Sequence, residues 1–582
     1  MLYENYIRVL YIDLDKESVR IENREDLKPY LGGVGVASKL LEENLLPEGE
    51  ALDPRQPVVF AIGALSTIFP VVTKTVAMFK SPLTGELGES YAGGRMALSM
   101  QMAGYDAMVI TGSHKRATYL SINTHDISFK DARAFKGISG NEIGRMIRAK
   151  ETGAGKRSIL RIGPAGENLV SFASVCVDTY RHFGRLGLGA VLGSKNLKAI
   201  AISGDRSIPI QNHKEYIKAF KTIYDKSTDT ELMTKYHDLG TPVNVEPLNA
   251  AGALPTLNLQ QGRFDKADAI TGEAFAENHL VRKVACTGCP VGCIHVGQFR
   301  NEFDKGYEYE SVSVGYDYEL IFSLGSFIGV DNPKDILRLI DKVEEAGLDA
   351  MSAGVCLGWA TEALQNGLVT ENETLVPLAF GDTEQYLAAI EHLAEPDNEF
   401  YWTLGKGVRK AAEKYGGKDF AMAIAGNEMP GYHTGYGSLV GAAVGARHSH
   451  LCNGGYSVDQ SNSEFSKEKW VESIFKEEVE RCMLNSLTIC LFARKVYDRA
   501  TILTALKSIG WEITDEDLTE ISKRIYKTKL RLKAAMNFEV EKVELPERYF
   551  KTESMNGKLD KSVAYDMIAL FNQKAKELLL ED

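Results

Sequence analysis

The sequence predicts an α+β protein, a β-rich N-terminal domain followed by two mainly α-helical domains. Three observations carry that prediction. Residues 1–205 are rich in glycine and in short β-branched runs bounded by glycine or proline, as strands often are. From about residue 206, apolar residues recur instead at helical spacing. No short-period repeat or low-complexity linker interrupts the chain, so the change of texture itself marks the boundaries.

In order along the chain, "VVFAIGAL", "DAMVITGS", "TYLSIN" and "LKAIAISG" read as strands, and "GNEIGRMIRAKET" is the clearest helix of the first domain, 1–205. The texture changes at "RSIPIQNHKEYIKAFKTIYDK". The second domain, 206–415, contains "KDILRLIDKVEEAGLDAMSAGVCLGWATEALQNG", "EQYLAAIEHLA" and "TLGKGVRKAAEKYG". The third, 416–582, continues with "EEVERCMLNSLTICLFARKVYD" and "DLTEISKRIYKTKLRLKAAMNF".

Composition excludes several classes of function. The 582 residues are 44% hydrophobic and 25% charged, an ordinary globular balance. No stretch approaches the ~18–20 uncharged apolar residues that a membrane span requires. The first residues, "MLYENYIRVLYIDLDKESVR", alternate and carry acids early, so they read as a strand and not as a targeting peptide; a cytoplasmic protein is expected. A net charge of −12 without a basic run excludes a nucleic-acid footprint and a polybasic membrane patch. Eight cysteines are too few for a disulfide scaffold, and their clustering points to metal or redox use.

Cys286, Cys289 and Cys293 have the spacing C-x2-C-x3-C in "CTGCPVGC". A tetrahedral zinc site normally pairs two such couples, and no second C-x-x-C or H-x-x-x-H is present. A [4Fe–4S] cube takes four thiolates, commonly three from one loop and one from elsewhere. Gly288 and Gly292 allow the loop to bend around a cube, and Pro290 stiffens it. Cys490 in "NSLTIC" is the candidate fourth ligand and Cys482 the alternative; zinc and unrelated buried thiols stay open on spacing alone. Cys176, Cys356 and Cys452 read as inert core thiols.

Other segments bring a resemblance. "YLGGVGVASKLL" (30–41), "KSPLTGELGESYAGG" (80–94), "RIGPAGENLVSFASV" (161–175) and "GRLGLGAVLGSKNLKAIAISG" (184–204) resemble the N-terminal domain of the tungsten-containing aldehyde ferredoxin oxidoreductase family. "CTGCPVGC" resembles its cluster loop; "EEAGLDAMSAG" (344–354) and "NSLTIC" (485–490) resemble its two D-x-x-G-L-[C/D] pterin-binding motifs. The likeness keeps the family's order from about residue 5 to at least 500.

The resemblance implies a tungsten or molybdenum ion held by two pyranopterins, with a [4Fe–4S] cluster beside it and Mg2+ bridging the pterin phosphates. The N-terminal domain becomes the bis-pterin-binding one. The implied cluster ligands are Cys286, Cys289, Cys293 and Cys490. Lys74 stands where the family usually has arginine, and Tyr91, Gly93, Arg181, His182 and Gly184 match positions lining the pterins and the magnesium. Leu348 and Asp349 match the end of the first motif, Asn485 and Ile489 belong to the second, and Arg447 matches an arginine reaching the cofactor.

The chain departs from the family pattern in three places. Glu344 and Asn485 replace the aspartates that open the two motifs, keeping an acceptor oxygen with altered reach or charge. The second motif has "TI" for "GL". Arg338 and Asp341 stand where some members carry E-x-x-H for a metal shared between subunits, and a guanidinium is a poor ligand.

For the chemistry, Glu319 in "YDYELIFSLGS" matches the family's active-site glutamate, with Glu310 in "YEYES" as the alternative. His450 matches its histidine, with His448 as the rival. The function implied is oxidation of an aldehyde to a carboxylic acid, electrons leaving to ferredoxin or an iron–sulfur partner subunit. Reduction of an aryl-CoA thioester, of the benzoyl-CoA type, is the alternative within the family; a non-catalytic electron-transfer or structural metal protein is the alternative outside it. Homo- and hetero-oligomers both stay open.

Overall fold

The computed structural model describes residues 5–581 apart from 211, 230, 305, 462 and 463. Two six-stranded sheets lie within the first two hundred or so residues. The first contains β1 (Ile7–Asp13), β2 (Ser18–Arg24), β3 (Val58–Ala61), β4 (Thr75–Lys80), β5 (Leu87–Ala92) and β6 (Ala107–Thr111), in the order β2-β1-β6-β3-β4-β5. The second contains β7 (Thr118–Ile122), β8 (Ile127–Asp131), β9 (Ser158–Arg161), β10 (Val175–Val177), β11 (Arg181–Phe183) and β12 (Leu197–Ile202), in the order β8-β7-β12-β9-β10-β11.

These orders are the same order, shifted by six strands. β1 and β6 are parallel and every other neighbour in the first sheet is antiparallel. β7 and β12 are likewise parallel, with all their sheet's other pairs antiparallel. A helix follows the opening hairpin in each unit, at Gly33–Asn44 (α1) and at Gly140–Lys150, and another follows the fifth strand, at Met96–Ala103 and Leu188–Ser194. The N-terminal region is therefore a tandem structural duplication. β3 and β4 are buried along their whole length, and their apolar residues join the two main cores.

The rest is mainly helical, as the 3.6-residue spacing predicts. The site depends on α2 (Tyr318–Leu324), α3 (Pro333–Ala346), α4 (Ala350–Gln365), α5 (Tyr436–Val444), α6 (Lys467–Ser486), α7 (Asp515–Ala535) and α8 (Lys561–Leu580). α3 has its start and stop written in sequence: Asn332 caps it, Pro333 is its first residue and Gly347 ends it at φ 77°. α7 opens with a Thr514–Asp517 capping box and three acids in its first turn.

One part of the helical half is not helical. β13 (Leu280–Val284), β14 (Ile294–Asp304) and β15 (Glu308–Tyr316) make an antiparallel sheet, and the "YEYESVSVGYDY" segment supplies its last strand. The three-cysteine loop is the connection between β13 and β14. Among the described residues, no helix is long and apolar enough to cross a membrane.

Candidate active site

The two proposed pterin motifs are one backbone device used twice. At the end of α3, Gly347 donates to the Glu344 carbonyl at 3.1 Å and Leu348 to the Val343 carbonyl at 3.1 Å. At the end of α6, Thr488 donates to the Asn485 carbonyl at 3.2 Å and Ile489 to the Leu484 carbonyl at 3.0 Å. Both helices thus stop on a left-handed residue, Gly347 at φ 77° and Thr488 at φ 58°. Threonine is a costly choice there because of its branched Cβ. Its hydroxyl lies 2.7 Å from the Ser66 hydroxyl, which offsets part of that cost.

Each device docks on the equivalent loop of one sheet unit. Cys490 donates to the Val71 carbonyl at 3.1 Å and Lys74 to the Thr488 carbonyl at 3.4 Å, between β3 and β4. Asp349 donates to the Phe172 carbonyl at 2.9 Å and Ser174 to the Gly347 carbonyl at 2.8 Å, between β9 and β10. A glycine lets the backbones meet in both places. A Cβ on Gly63 would lie 2.4 Å from the Leu487 carbonyl carbon, and one on Gly163 2.5 Å from the Ala346 oxygen. The fifth strands also match: β5 leads to Tyr91 and Gly93, β11 to Arg181, His182 and Gly184. The result is a pair of topologically equivalent cradles.

The surfaces of these cradles hold polar atoms without protein partners. Arg181 Nε, His182 Nε2, Arg185 Nη1 and Arg447 Nε are buried and unpaired among the described residues. Arg181 and His182 are half-buried, and burial dominates their electrostatics. Burial lowers the His182 pKa and raises that of Glu344, its charge neighbour, to about 8. Arg447 donates to the Glu89 carbonyl at 3.0 Å and lies 4.9 Å over the Tyr91 ring; Tyr91 donates to Glu89 at 2.6 Å. Asp349 caps α4 through Met351 and Ser352 and accepts from Arg185 Nε at 3.1 Å, so its carboxylate is already engaged. Asn485 and Ile489 are buried in the second turn.

The cysteines gather beside one cradle only. Cys286, Cys289, Cys293 and Cys490 lie near enough to feel one another's charge. Burial pushes Cys289 up to about 12 and Cys293 up to about 11. Burial also opposes ionisation of Cys286, but Arg181, Lys74 and the Gly94 backbone outweigh it and hold that thiol below its ordinary value. A Cβ on Gly93 would lie 2.6 Å from Cys286 Sγ and 3.4 Å from Lys74 Nζ. Cys482 stands apart on α6, its thiol against the Glu478 carbonyl at 3.4 Å. Cys490 is the remote cysteine that meets the loop.

A second group is coupled to these residues through Arg185 and Asp349, whose charges act on Glu319. Glu319 lies in the first turn of α2, which Asp317 caps. Its Oε1 is 3.3 Å from His450 Nε2 and out of hydrogen-bonding alignment, while Oε2 accepts from the Gly431 N–H at 3.1 Å. Burial raises the Glu319 pKa to about 8 and drives that of His450 well below its ordinary value, with Arg185 and Arg447 adding to the effect on the histidine. At neutral pH the pair is a carboxylic acid beside a neutral imidazole. The rival candidates lie elsewhere. Glu310 is exposed on β15, paired across from Asn301. His448 is fully committed, with Nδ1 at 3.0 Å from the Ala442 carbonyl and Nε2 at 3.0 Å from both Glu86 and Lys533.

Two residues were missed by sequence reasoning. Arg185 donates to the Glu428 carbonyl at 2.7 Å and to Asp349, and its Nη1 is left unpaired among the described residues. Its position directly after Gly184 was a usable signal. Tyr432 packs its ring 5.1 Å from His450 and 4.6 Å from Tyr456, with Tyr318 at 5.3 Å. Nothing in "PGYHTGY" distinguished it from a core tyrosine.

Under this frame of charged pairs runs a buried array. Lys533 and Lys529 of α7 reach Glu86, just before β5, and Glu89, within it, each at 2.6 Å. Burial alone would raise the Glu86 pKa; Lys533 and His448 hold it down at about 2.

Two family models account for most of the chain: the N-terminal domain of aldehyde ferredoxin oxidoreductase matches residues 9–204, and domains 2 and 3 of the same protein match residues 218–574. The chain belongs to the aldehyde ferredoxin oxidoreductase family. It is 31% identical to the tungsten-containing aldehyde ferredoxin oxidoreductase of Pyrococcus furiosus over 92% of this chain and 90% of that protein. It is 30% identical to the Thermococcus kodakarensis protein of the same description, over 96% and 93% of the two chains. Among solved structures, the active-site complex BamBC of benzoyl coenzyme A reductase, bound to 1,5-dienoyl-CoA, shares the fold at a TM-score of 0.84 and 18% identity, covering 98% of this chain and 94% of that one. Members of the family are oxidoreductases, and the chain is an enzyme of that class.

Proposed function

We propose that this enzyme converts an aldehyde and water into a carboxylic acid, using a tungsten or molybdenum bis-pyranopterin and passing two electrons singly through a [4Fe–4S] cluster to a ferredoxin or an iron–sulfur partner subunit. The observation that carries the reading is the pair of equivalent cradles, with four thiols beside one of them and the Glu319–His450 pair coupled to them through Arg185.

The residues fit those groups. Two like cradles suit two like organic ligands, and the unpaired donors of Arg181, His182, Arg185 and Arg447 suit their phosphates and ring heteroatoms. Glu344 and Asn485 keep acceptor oxygens for pterin amino groups. Cys286, Cys289, Cys293 and Cys490 would supply the four thiolates that a cube takes, and Gly93 leaves room for the Cys286 thiol. Tyr91, Gly93, Arg181, His182 and Gly184 would line the pterins and a magnesium ion, which would offset the charge of their phosphates. The metal centre, when bound, supplies two-electron redox capacity and Lewis acidity.

The protein's own residues manage protons and placement. Ionised Glu319 accepts a proton from the water that adds to the aldehyde carbon, its Oε2 held by the Gly431 N–H. His450, kept neutral by its surroundings, stands 3.3 Å away as the weaker base, so the proton stays on the Glu319 carboxyl. Arg185 eases ionisation of Glu319, and the Tyr318, Tyr432 and Tyr456 rings exclude bulk water. The same tyrosine wall favours a second reading, in which a planar acyl-CoA thioester is reduced.

Protein prepared without oxygen from cells given tungstate is expected to contain tungsten and about four irons per chain, and to oxidise aldehydes with a viologen dye. Protein without pterin or tungsten refutes the cofactor reading. A fully loaded protein that is inert to aldehydes and is reoxidised by aryl-CoA esters transfers the substrate reading to the thioester.

A further inference from the structure

The cluster loop is surrounded by a face whose charge is opposite to that of the molecule. The chain carries a net charge of −12. Three segments frame Cys289 and Cys490 at the surface: 235–238, 280–293 and 490–495. Together they contain five cations, Lys235, Arg282, Lys283, Arg494 and Lys495, against Asp238, which lies 3.9 Å from Lys283; Glu231 at the start of the same helix is a second acid.

These segments are packed together. His237 Nδ1 lies 2.7 Å from the Val291 carbonyl and His295 Nε2 lies 3.0 Å from the Asp238 carbonyl, tying the helix Glu231–Asp238 to the cysteine loop. Tyr236 stacks on Phe492 with ring centroids 4.0 Å apart and planes 7° apart, tying the same helix to the turn after Cys490. Both rings are half-buried, and Lys495, three residues after Phe492, and Lys235, next to Tyr236 on its helix, are exposed. The acids of the β14–β15 arm, Glu302 and Glu308 among them, begin nine residues beyond Cys293. In extended chain that is about 30 Å away.

We infer that this basic, aromatic-centred face is the docking site of an acidic, small iron–sulfur electron carrier. The inference rests on the electron route proposed above and deepens it by naming the surface and the partner's charge. A carrier of negative charge is repelled by most of the molecule and attracted here, so the field itself orients encounter on the cluster side. The rings provide the apolar centre that such interfaces place inside a charged rim. The electron count is closed: an aldehyde and water yield a carboxylic acid, two protons and two electrons, and two oxidised carrier molecules each leave with one electron.

The test uses the loaded enzyme, an acidic bacterial-type ferredoxin and a cationic viologen dye. The double variant K235E/K495E is expected to bind the ferredoxin at least roughly tenfold more weakly at low salt and to lose most of the salt dependence of binding. Its dye-linked aldehyde turnover is expected to stay unchanged. Binding unaltered by the charge reversals overturns the inference, as does an equal loss with the dye, which would make this face the mouth of the substrate channel. Binding is measured without turnover, so an enzyme inert to aldehydes would refute the proposed function and leave the docking result readable.

Discussion

Replacing Glu319 by glutamine separates the proton role of this side chain from its place in the fold. Burial raises the Glu319 pKa from 4.5 to about 8, so keeping the ionised form in this site costs about 5 kcal/mol relative to water. With that value about one-tenth of the enzyme holds the carboxylate at pH 7 and about nine-tenths at pH 9. If the carboxylate is the base, kcat/KM for a neutral aldehyde rises about tenfold between those pH values and then levels. Glutamine preserves the Gly431 N–H···O contact and the side-chain volume but accepts no proton. Glu319→Gln is therefore expected to lower kcat by roughly 10²–10⁴-fold and to flatten the pH profile. The assay is dye-linked aldehyde oxidation across pH 6–10, with tungsten and iron measured on the same samples. A variant that loads both metals and keeps most of its rate, or a wild-type profile with no rise through this range, would refute the assignment.

Two further outcomes follow from the geometry. Cys490→Ser is expected to yield protein with about three irons per chain or fewer and with altered electron paramagnetic resonance of the reduced cluster; Cys482→Ser, which alters a thiol on α6, is expected to keep the full complement. Lys533→Met removes the cation that holds the Glu86 pKa at about 2, and the loss is expected at about 3–5 kcal/mol in denaturant unfolding, much of it recovered in the double variant Glu86→Gln/Lys533→Met. Because that pKa is depressed in the folded protein, the Glu86 contribution is complete above 4.5 and declines as pH falls from there towards about 2.

The elements that sequence reveals best here are those written locally. The C-x2-C-x3-C loop, the helix stop at Gly347 and the strand runs of residues 1–205 need only neighbours along the chain to be recognised. The ordered motifs brought Glu319, His450 and the two pterin turns into one list, but the choices Glu319 or Glu310 and His450 or His448 depended on burial, which nearby residues do not encode. The tandem duplication stayed hidden because its halves share hydrogen-bonding order and not residue identity: an Asp349 turn serves one, a Cys490 turn the other. Thr488 in a left-handed conformation disguised the second turn further. Arg185 and Tyr432 owe their roles to neighbours from distant segments, Asp349 and His450 among them.

The lysines at 529 and 533 also have a meaning in time. A ribosome that has released the first two hundred residues has released Glu86 and Glu89 at the edge strand of the first sheet, with their cations more than three hundred residues from synthesis. Until that late helix is made, the two carboxylates lack the lysines that neutralise them in the folded protein. The strands of the first sheet are thus complete along the chain well before the charges that neutralise its edge, and that edge depends for its counter-charges on the C-terminal third.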